Sequence, residues 1–179
     1  MAKDGLQRVV GYVDGFNLYS GLRDSGYRRY YWLNIREMVR HLLRPYQRLS
    51  RTKYFTARIC GRGPGVGRNL AGVMEGKRRR QAVYLEALGT LADFDIYYGH
   101  YLSQVIRCRD CGRSWSDNEE KMTDVNIATE LLVDAFEDRF DTALLVSADS
   151  DLVPAIRALK TVLPGKRVIV FFPPGRFSA

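Results

Sequence analysis

Thr142-Ala-Leu-Leu-Val-Ser-Ala-Asp-Ser-Asp151, continued by Leu152-Val-Pro-Ala-Ile156, is the stretch whose reading decides the fold. Ala143 to Val146 form a short apolar run, the mark of a buried strand. The run stops at Ser147, and beyond Asp149 and Asp151 the apolar residues change period. Leu152, Ile156 and Leu159 fall on one helical face, and Pro154 suits a first helical turn. A strand ending in this way sets both carboxylates at its carboxyl end, where open α/β sheets receive their ligands. One acid is enough to cap the helix. Two repel each other unless a cation or a positive substrate group lies between them.

Outward from this stretch, strands and helices alternate. Residues 8–14 read as a first strand ending in Asp14, and a helix runs from Gly15 to about Gly26. The basic and aromatic run 27–32 reads as a loop, and Asn34 caps a second helix that Pro45 stops. Strands follow at 53–59 and 94–102, separated by the glycine-rich stretch 61–68 and a helix over about 69–88. A polar insertion at about 103–119 carries Cys108-Arg-Asp-Cys111. An apolar helix over 122–136 comes next, with Val125, Ala128, Leu132 and Ala135 as its expected packed stripe. The quoted strand is then the fourth, and residues 166–172 form a fifth. The sequence stops soon after it, where a closing helix is expected. This alternation predicts an α/β protein with a parallel, doubly wound sheet of about five strands, in a single domain spanning 1–179.

The chain has 179 residues, 46% hydrophobic and 27% charged, enough for one domain with a real core. No apolar run approaches a membrane span, and Met1-Ala-Lys-Asp-Gly5 lacks signal-peptide character, so no membrane role and a cytoplasmic location are expected. The excess of 28 basic over 20 acidic residues, a net +8, favours a polyanionic partner. Three cysteines, an odd number, argue against a disulfide framework.

The acids from separate segments should converge. Asp14 ends the first strand, Asp149 and Asp151 follow the fourth, and such strands are usually neighbours in this topology. Asp124 opens the preceding helix, where the helix dipole alone would also favour an acid. Asn17 lies one turn after Asp14. Four carboxylates and an amide are hard oxygen donors suited to Mg²⁺ or Mn²⁺ and to phosphate chemistry.

Tyr12-Val-Asp14-Gly-Phe-Asn17-Leu, Glu120-Lys-Met-Thr-Asp124-Val-Asn-Ile-Ala and Val146-Ser-Ala-Asp149-Ser-Asp151-Leu-Val-Pro, in this order, resemble the NYN domain family of the PIN-like metal-dependent nuclease superfamily. The resemblance covers residues 8–172. It implies a three-layer α/β/α sandwich and a Mg²⁺- or Mn²⁺-dependent ribonuclease. By position it makes Asp14, Asp124 and Asp149 the metal-binding acids, with Asp151 as a fourth. Asn17, Thr123 and Ser147 would support them. A metal-activated water would hydrolyse the RNA phosphodiester, with Asp14 and Asp149 on the main metal, Asp124 ligating it or orienting the water, and Asp151 on a second site. His41 and His100 lie outside the motifs, so histidine acid–base chemistry is not expected.

RNA, single-stranded or structured, also needs positive charge. Arg28 and Arg29 beside Trp32, Arg62 and Arg68 on the glycine-rich stretch, and Lys77, Arg78, Arg79 and Arg80 are the candidates. A solvated face or a packed aromatic cluster is the plainer reading of each. Residues 61–68 lack the G-x-x-x-x-G-K-[ST] pattern of a phosphate loop. Cys108 and Cys111 form half of a zinc site; four ligands would require Cys60, His100 or a second subunit in a homodimer, and two free thiols are the alternative. The rival functions are a metal-dependent phosphatase on the same fold and a non-catalytic RNA-binding module. An aspartyl-nucleophile phosphatase wants an acid two residues after Asp14, where Phe16 stands.

Overall fold

The computed structural model describes residues 5–59, 68–112 and 114–176, with the side chains of 68–71, 101–105 and 114–120 left out. The elements run β1 (Gln7–Asp14), α1 (Gly15–Asp24), α2 (Ile35–His41), β2 (Gln47–Ala57), α3 (Arg68–Gly89), β3 (Phe94–Arg107), β4 (Ser114–Lys121), α4 (Thr123–Phe136), β5 (Thr142–Val146), α5 (Val153–Val162) and β6 (Arg167–Phe171). They build one sheet in the order β4-β3-β2-β1-β5-β6. Five strands are parallel, as expected, and β4 alone runs antiparallel, on the edge.

The insertion is the main departure from expectation. β3 continues to Arg107, and the chain returns as β4, pairing Arg107 with Ser114 at one end and His100 with Lys121 at the other. The strand beginning at Thr142 is therefore the fifth.

Side chains alternate along each strand, so the sheet has two apolar faces. Val9, Val13, Tyr54, Leu144 and Val146 face α1, α2 and α3. Val10, Tyr12, Phe55, Ala143 and Leu145 face α4 and α5. Helices on both faces complete the three layers. Asn34 caps α2 by accepting from the Glu37 N–H at 3.0 Å, and proline stands in the first turn of α5, both as the sequence indicates. The stripe on α4 is not the expected one. Val125 is 62% exposed, and Ile127, Leu131, Asp134 and Ala135 are the buried residues, a rotation of the helix that turns an acid inward. Ala128 and Leu132 flank that stripe and are half-buried.

Parallel strands align their carboxyl ends, and β1 lies between β2 and β5. The chain works from β1 through β2 to β3 on one side before crossing back to β5. The direction of winding thus reverses between β1 and β5, which opens a crevice at their carboxyl ends. Asp14 lies beside Phe55 on β2, and Val13 beside Val146 on β5.

The opposite edge is held by charge. The Asp141 carboxylate accepts from the Arg8 backbone N–H at 2.7 Å and from its guanidinium at 2.9 Å, joining the starts of β1 and β5. Arg8 holds the Asp141 pKa below the usual carboxylate range. Lys166 and then Arg8 hold Asp138 at about 2. A depressed carboxylate adds stability above its unfolded pKa of about 3.9 and loses it as pH falls through the folded value. Asp141→Asn is therefore less stable than wild type at neutral pH, and the difference closes below about pH 4. Urea unfolding at several pH values measures this; a gap that widens in acid would contradict it.

Candidate active site

β1 delivers Asp14 to the crevice with 2% of its surface exposed. One carboxylate oxygen accepts from the Asn17 backbone N–H at 2.9 Å and so caps α1. The other accepts from the Asn17 side-chain amide at 3.0 Å and from the Ser147 hydroxyl at 2.9 Å. A surface cap would do the first job alone. Burial raises the Asp14 pKa, the hydrogen bonds from Asn17 and Ser147 oppose the rise, and the charge of Asp149 adds to it. Among the described residues no basic side chain forms a hydrogen bond or ion pair with Asp14; its partners are Asn17 and Ser147.

Ser147 couples the two strands. It donates to Asp14 and accepts from the Asp149 backbone N–H at 3.1 Å. Asp149 in turn accepts from the Asp151 N–H at 2.9 Å, capping the short 3-10 turn Ser150–Leu152 that leads into α5. One acid does serve as a cap, then, and it is Asp149. Asp151 is exposed and is not needed for that purpose.

Two glycines permit these approaches. A Cβ on Gly15 would lie 2.5 Å from the Tyr54 hydroxyl and 2.8 Å from the Phe55 carbonyl oxygen. The carbonyl belongs to β2 and cannot give way. Gly15→Ala should cost about 1–3 kcal/mol, the range for overpacking, and displace Asp14 with it. Thermal unfolding measures the cost, and a change under about 0.5 kcal/mol, the scale of a neutral surface substitution, would show that the strand end yields. A Cβ on Gly99 would meet the Lys121 carbonyl at 2.5 Å and the Thr123 hydroxyl at 2.8 Å. The start of α4 therefore rests on the parallel part of β3, at the same edge of the sheet. Thr123 is buried there and Asp124 half-buried. Met122, with φ 75°, makes the turn from β4 into α4 without a side-chain cap.

The candidates thus divide. Asp14, Asn17, Ser147, Asp149 and Asp151 form one connected chain of hydrogen bonds. Asp124 lies at the same sheet edge without joining it: among the described residues, no group of three or more His, Cys, Asp or Glu side chains is close enough to hold a metal ion. The Asp14 and Asp149 carboxylates nevertheless fit a hard divalent cation, since carboxylate oxygens are hard ligands and a buried acid beside a second acid is relieved by positive charge. Asp14 and Asp149 are the residues that could hold it.

Of the RNA-contact candidates, Arg28, Arg29 and Trp32 are exposed, and the Arg29 guanidinium lies 4.9 Å from the Tyr30 ring centre. Lys77, Arg79 and Arg80 are exposed on α3, while Arg78 pairs with Glu75 at 2.6 Å. Arg62 and the Arg68 side chain lie outside the described residues, as does Cys60. Cys108 and Cys111 are free thiols in the β3–β4 turn, and backbone N–H groups of Cys111 and Asp110 lower the Cys108 pKa. His100 cannot complete a zinc site with them. It sits at the far end of the hairpin, and the seven strand residues 101–107, at about 3.3 Å each, separate it from Cys108.

A buried polar group on the α4 face escaped the sequence reading. Lys53 on β2, 1% exposed, reaches Asp134 at 2.7 Å and Glu130 at 2.6 Å. The Tyr12 hydroxyl donates to Asp134 at 2.5 Å. The available signal was Asp134 itself, on the apolar stripe of α4.

An open, doubly wound sheet with paired carboxylates at its switch point defines a class of α/β proteins that act on ligands at the strand ends. Within it, this chain belongs to the NYN domain family, which matches residues 8–179 and is generally a family of PIN-like nucleases. It is 27% identical over 182 residues to the 6-hydroxy-3-succinoylpyridine 3-monooxygenase HspA of Pseudomonas putida, covering 83% of this chain and 54% of that protein. The chain thus spans about half the length of that relative. A crystal structure of a protein of unknown function from Vibrio parahaemolyticus shares the fold, with a TM-score of 0.56, 20% identity, and coverage of 99% of this chain and 88% of that one. Among the described residues, no helix is long and apolar enough to cross a membrane.

Proposed function

We propose that the protein is a metal-dependent ribonuclease that hydrolyses RNA phosphodiester bonds. The observation that carries this reading is the buried Asp14 carboxylate, hydrogen-bonded through Ser147 to the Asp149 segment with no basic partner among the described residues. Asp14 and Asp149 would hold a Mg²⁺ or Mn²⁺ ion. When bound, such an ion lowers the pKa of a water and neutralises charge on the phosphoryl group. Asn17 and Ser147 fix the orientation of the Asp14 carboxylate, so its charge costs no rearrangement when substrate arrives. Asp124 would ligate the ion or orient the attacking water, and Asp151 would complete a second, weaker site. The net charge of +8 suits a polyanionic substrate. The monooxygenase activity named for the Pseudomonas relative belongs to a longer protein, of which the match covers 54%, and an acid cluster of this kind gives no reason to transfer it.

The test is cleavage of a labelled single-stranded RNA by the purified protein with Mn²⁺, with Mg²⁺ and with EDTA. Cutting with a divalent ion and none in EDTA is the expected result. No cutting with either ion, beside intact RNA binding, would move the function to a non-catalytic RNA-binding module.

A further inference from the structure

On the face of the sheet away from α4, next to Gly15 and so one residue from Asp14, lies a cavity of about 420 Å³. Its walls are aromatic and come from three separate elements. Phe16 stands on α1, Trp32 on the segment before α2, and Tyr84 on α3. The wall on α3 presents Met74, Lys77, Gln81 and Tyr84, residues three or four apart and therefore on one helical face.

The walls are fixed in place. Gln81 donates to the Ala57 carbonyl at 2.9 Å and accepts from the Ile59 N–H at 2.8 Å, tying α3 to the end of β2. The Tyr84 hydroxyl donates to the Leu33 carbonyl at 2.7 Å, and Trp32 meets the Tyr84 ring edge-on at 5.8 Å. A satellite of the core would bury its rings, yet Trp32 is 55% and Phe16 53% exposed. The rim is cationic. Lys77 and Arg80 line the opening, and among the described residues no carboxylate pairs with either, in contrast to Arg78. A preformed aromatic cleft with a few charges at its mouth is built for a planar ligand that carries negative charge.

We infer that this cavity takes one unpaired base of an RNA strand, stacked against Trp32, with its phosphate on Lys77 and Arg80. The next phosphodiester of the strand then passes Gly15 and reaches Asp14. The identity of the occupant as RNA rests on the ribonuclease reading, while the stacking and the cationic rim do not. Aromatic stacking is tolerant of base identity, so the cavity sets the position of the strand rather than its sequence.

Trp32 and Trp115 are the only two tryptophans, so a Trp115→Phe variant leaves Trp32 as the sole indole reporter. It is titrated in EDTA, where no metal-dependent cutting occurs, with a short oligouridylate and with an abasic strand of the same length. The expected result is quenching of Trp32 by the oligouridylate, and at least about tenfold weaker binding of the abasic strand, the scale of one lost stack. Lys77→Ala/Arg80→Ala weakens binding of fluorescently labelled RNA by about tenfold or more. Trp32→Ala, which removes an exposed side chain, weakens it similarly with an unchanged circular dichroism spectrum. Equal binding of the two strands would overturn the inference, even for an enzyme that cuts RNA. So would quenching by free pyridine-3-carboxylate without quenching by RNA, which would make this a small-molecule pocket. Base-dependent quenching in a protein that cuts nothing would sustain the cavity and remove the ribonuclease.

Discussion

An Asp149→Asn variant is expected to fold as wild type does and to lose at least about a hundredfold in metal-dependent RNA cleavage, the scale of removing a charge that stabilises a transition state. The fold survives because the asparagine side chain keeps a carbonyl oxygen for the Asp151 N–H, now accepted by Asp149 at 2.9 Å. The activity does not, because the second carboxylate beside Asp14 is gone. Asp14→Asn should be as inactive but is the less clean test. It would place an amide against two donors, the Asn17 side chain at 3.0 Å and the Ser147 hydroxyl at 2.9 Å, unless those groups turn. Cation binding gives an independent readout. At a Mn²⁺ concentration a hundred times its dissociation constant, wild type should gain about 2.7 kcal/mol of stability. For a chain of this size that raises Tm by about 5–10 °C. Asp149→Asn should show little of that rise. A variant that cuts RNA as fast as wild type, or melts with the same Mn²⁺ response, would remove Asp149 from the site.

The parts of the fold that read clearly were those where one physical cause dominates. The central strands β1 and β5 are apolar because both their faces are covered, and the acids Asp14 and Asp149 follow them at the sheet edge. The caps at Asn34 and Asp149 likewise follow from local backbone geometry. Ser114-Trp-Ser-Asp-Asn-Glu-Glu-Lys121 did not read as a strand, because its pattern lacks apolar alternation and its order comes from the ladder to β3. The phase of α4 was misread for a different reason. Asp134 takes a core position that periodicity assigns to an apolar residue, and the facing Lys53, with the Tyr12 hydroxyl and Arg139, makes that tolerable. Which acids meet is also beyond spacing. Asp14 and Asp149 are joined by Ser147, whereas Asp124 depends on how α4 begins above Gly99. The aromatic cavity is less legible still, since Phe16, Trp32 and Tyr84 lie far apart in sequence and meet only when α1 and α3 pack on β2.

Asp134→Ala should be the most destabilising single change outside the apolar core, at about 3–5 kcal/mol, the cost of breaking a buried ion pair from one side. Asp134 is fully buried and serves three partners: Lys53 at 2.7 Å, the Tyr12 hydroxyl at 2.5 Å and Arg139 at 3.1 Å. Burial works against the Lys53 charge, yet hydrogen bonds with Asp134 and Glu130 outweigh it and raise the lysine pKa, so the ammonium is the form the fold holds. Removing Asp134 leaves that charge with Glu130 alone and leaves the Tyr12 hydroxyl without its acceptor. The loss corresponds to a fall in Tm of roughly 6–20 °C, at about 2–4 °C per kcal/mol for a chain of this length. Replacing both members, as Lys53→Met with Asp134→Leu, should recover much of the stability, because no buried charge is then stranded. Thermal and urea unfolding of the single and double variants decide the point. A single variant within about 1 kcal/mol of wild type would show that water enters and solvates Lys53. Full recovery in the double variant together with loss of RNA cleavage would mean more. The network joins β1, β2 and α4, so it would then serve to hold the start of α4, and with it Asp124, against the edge where Asp14 and Asp149 stand.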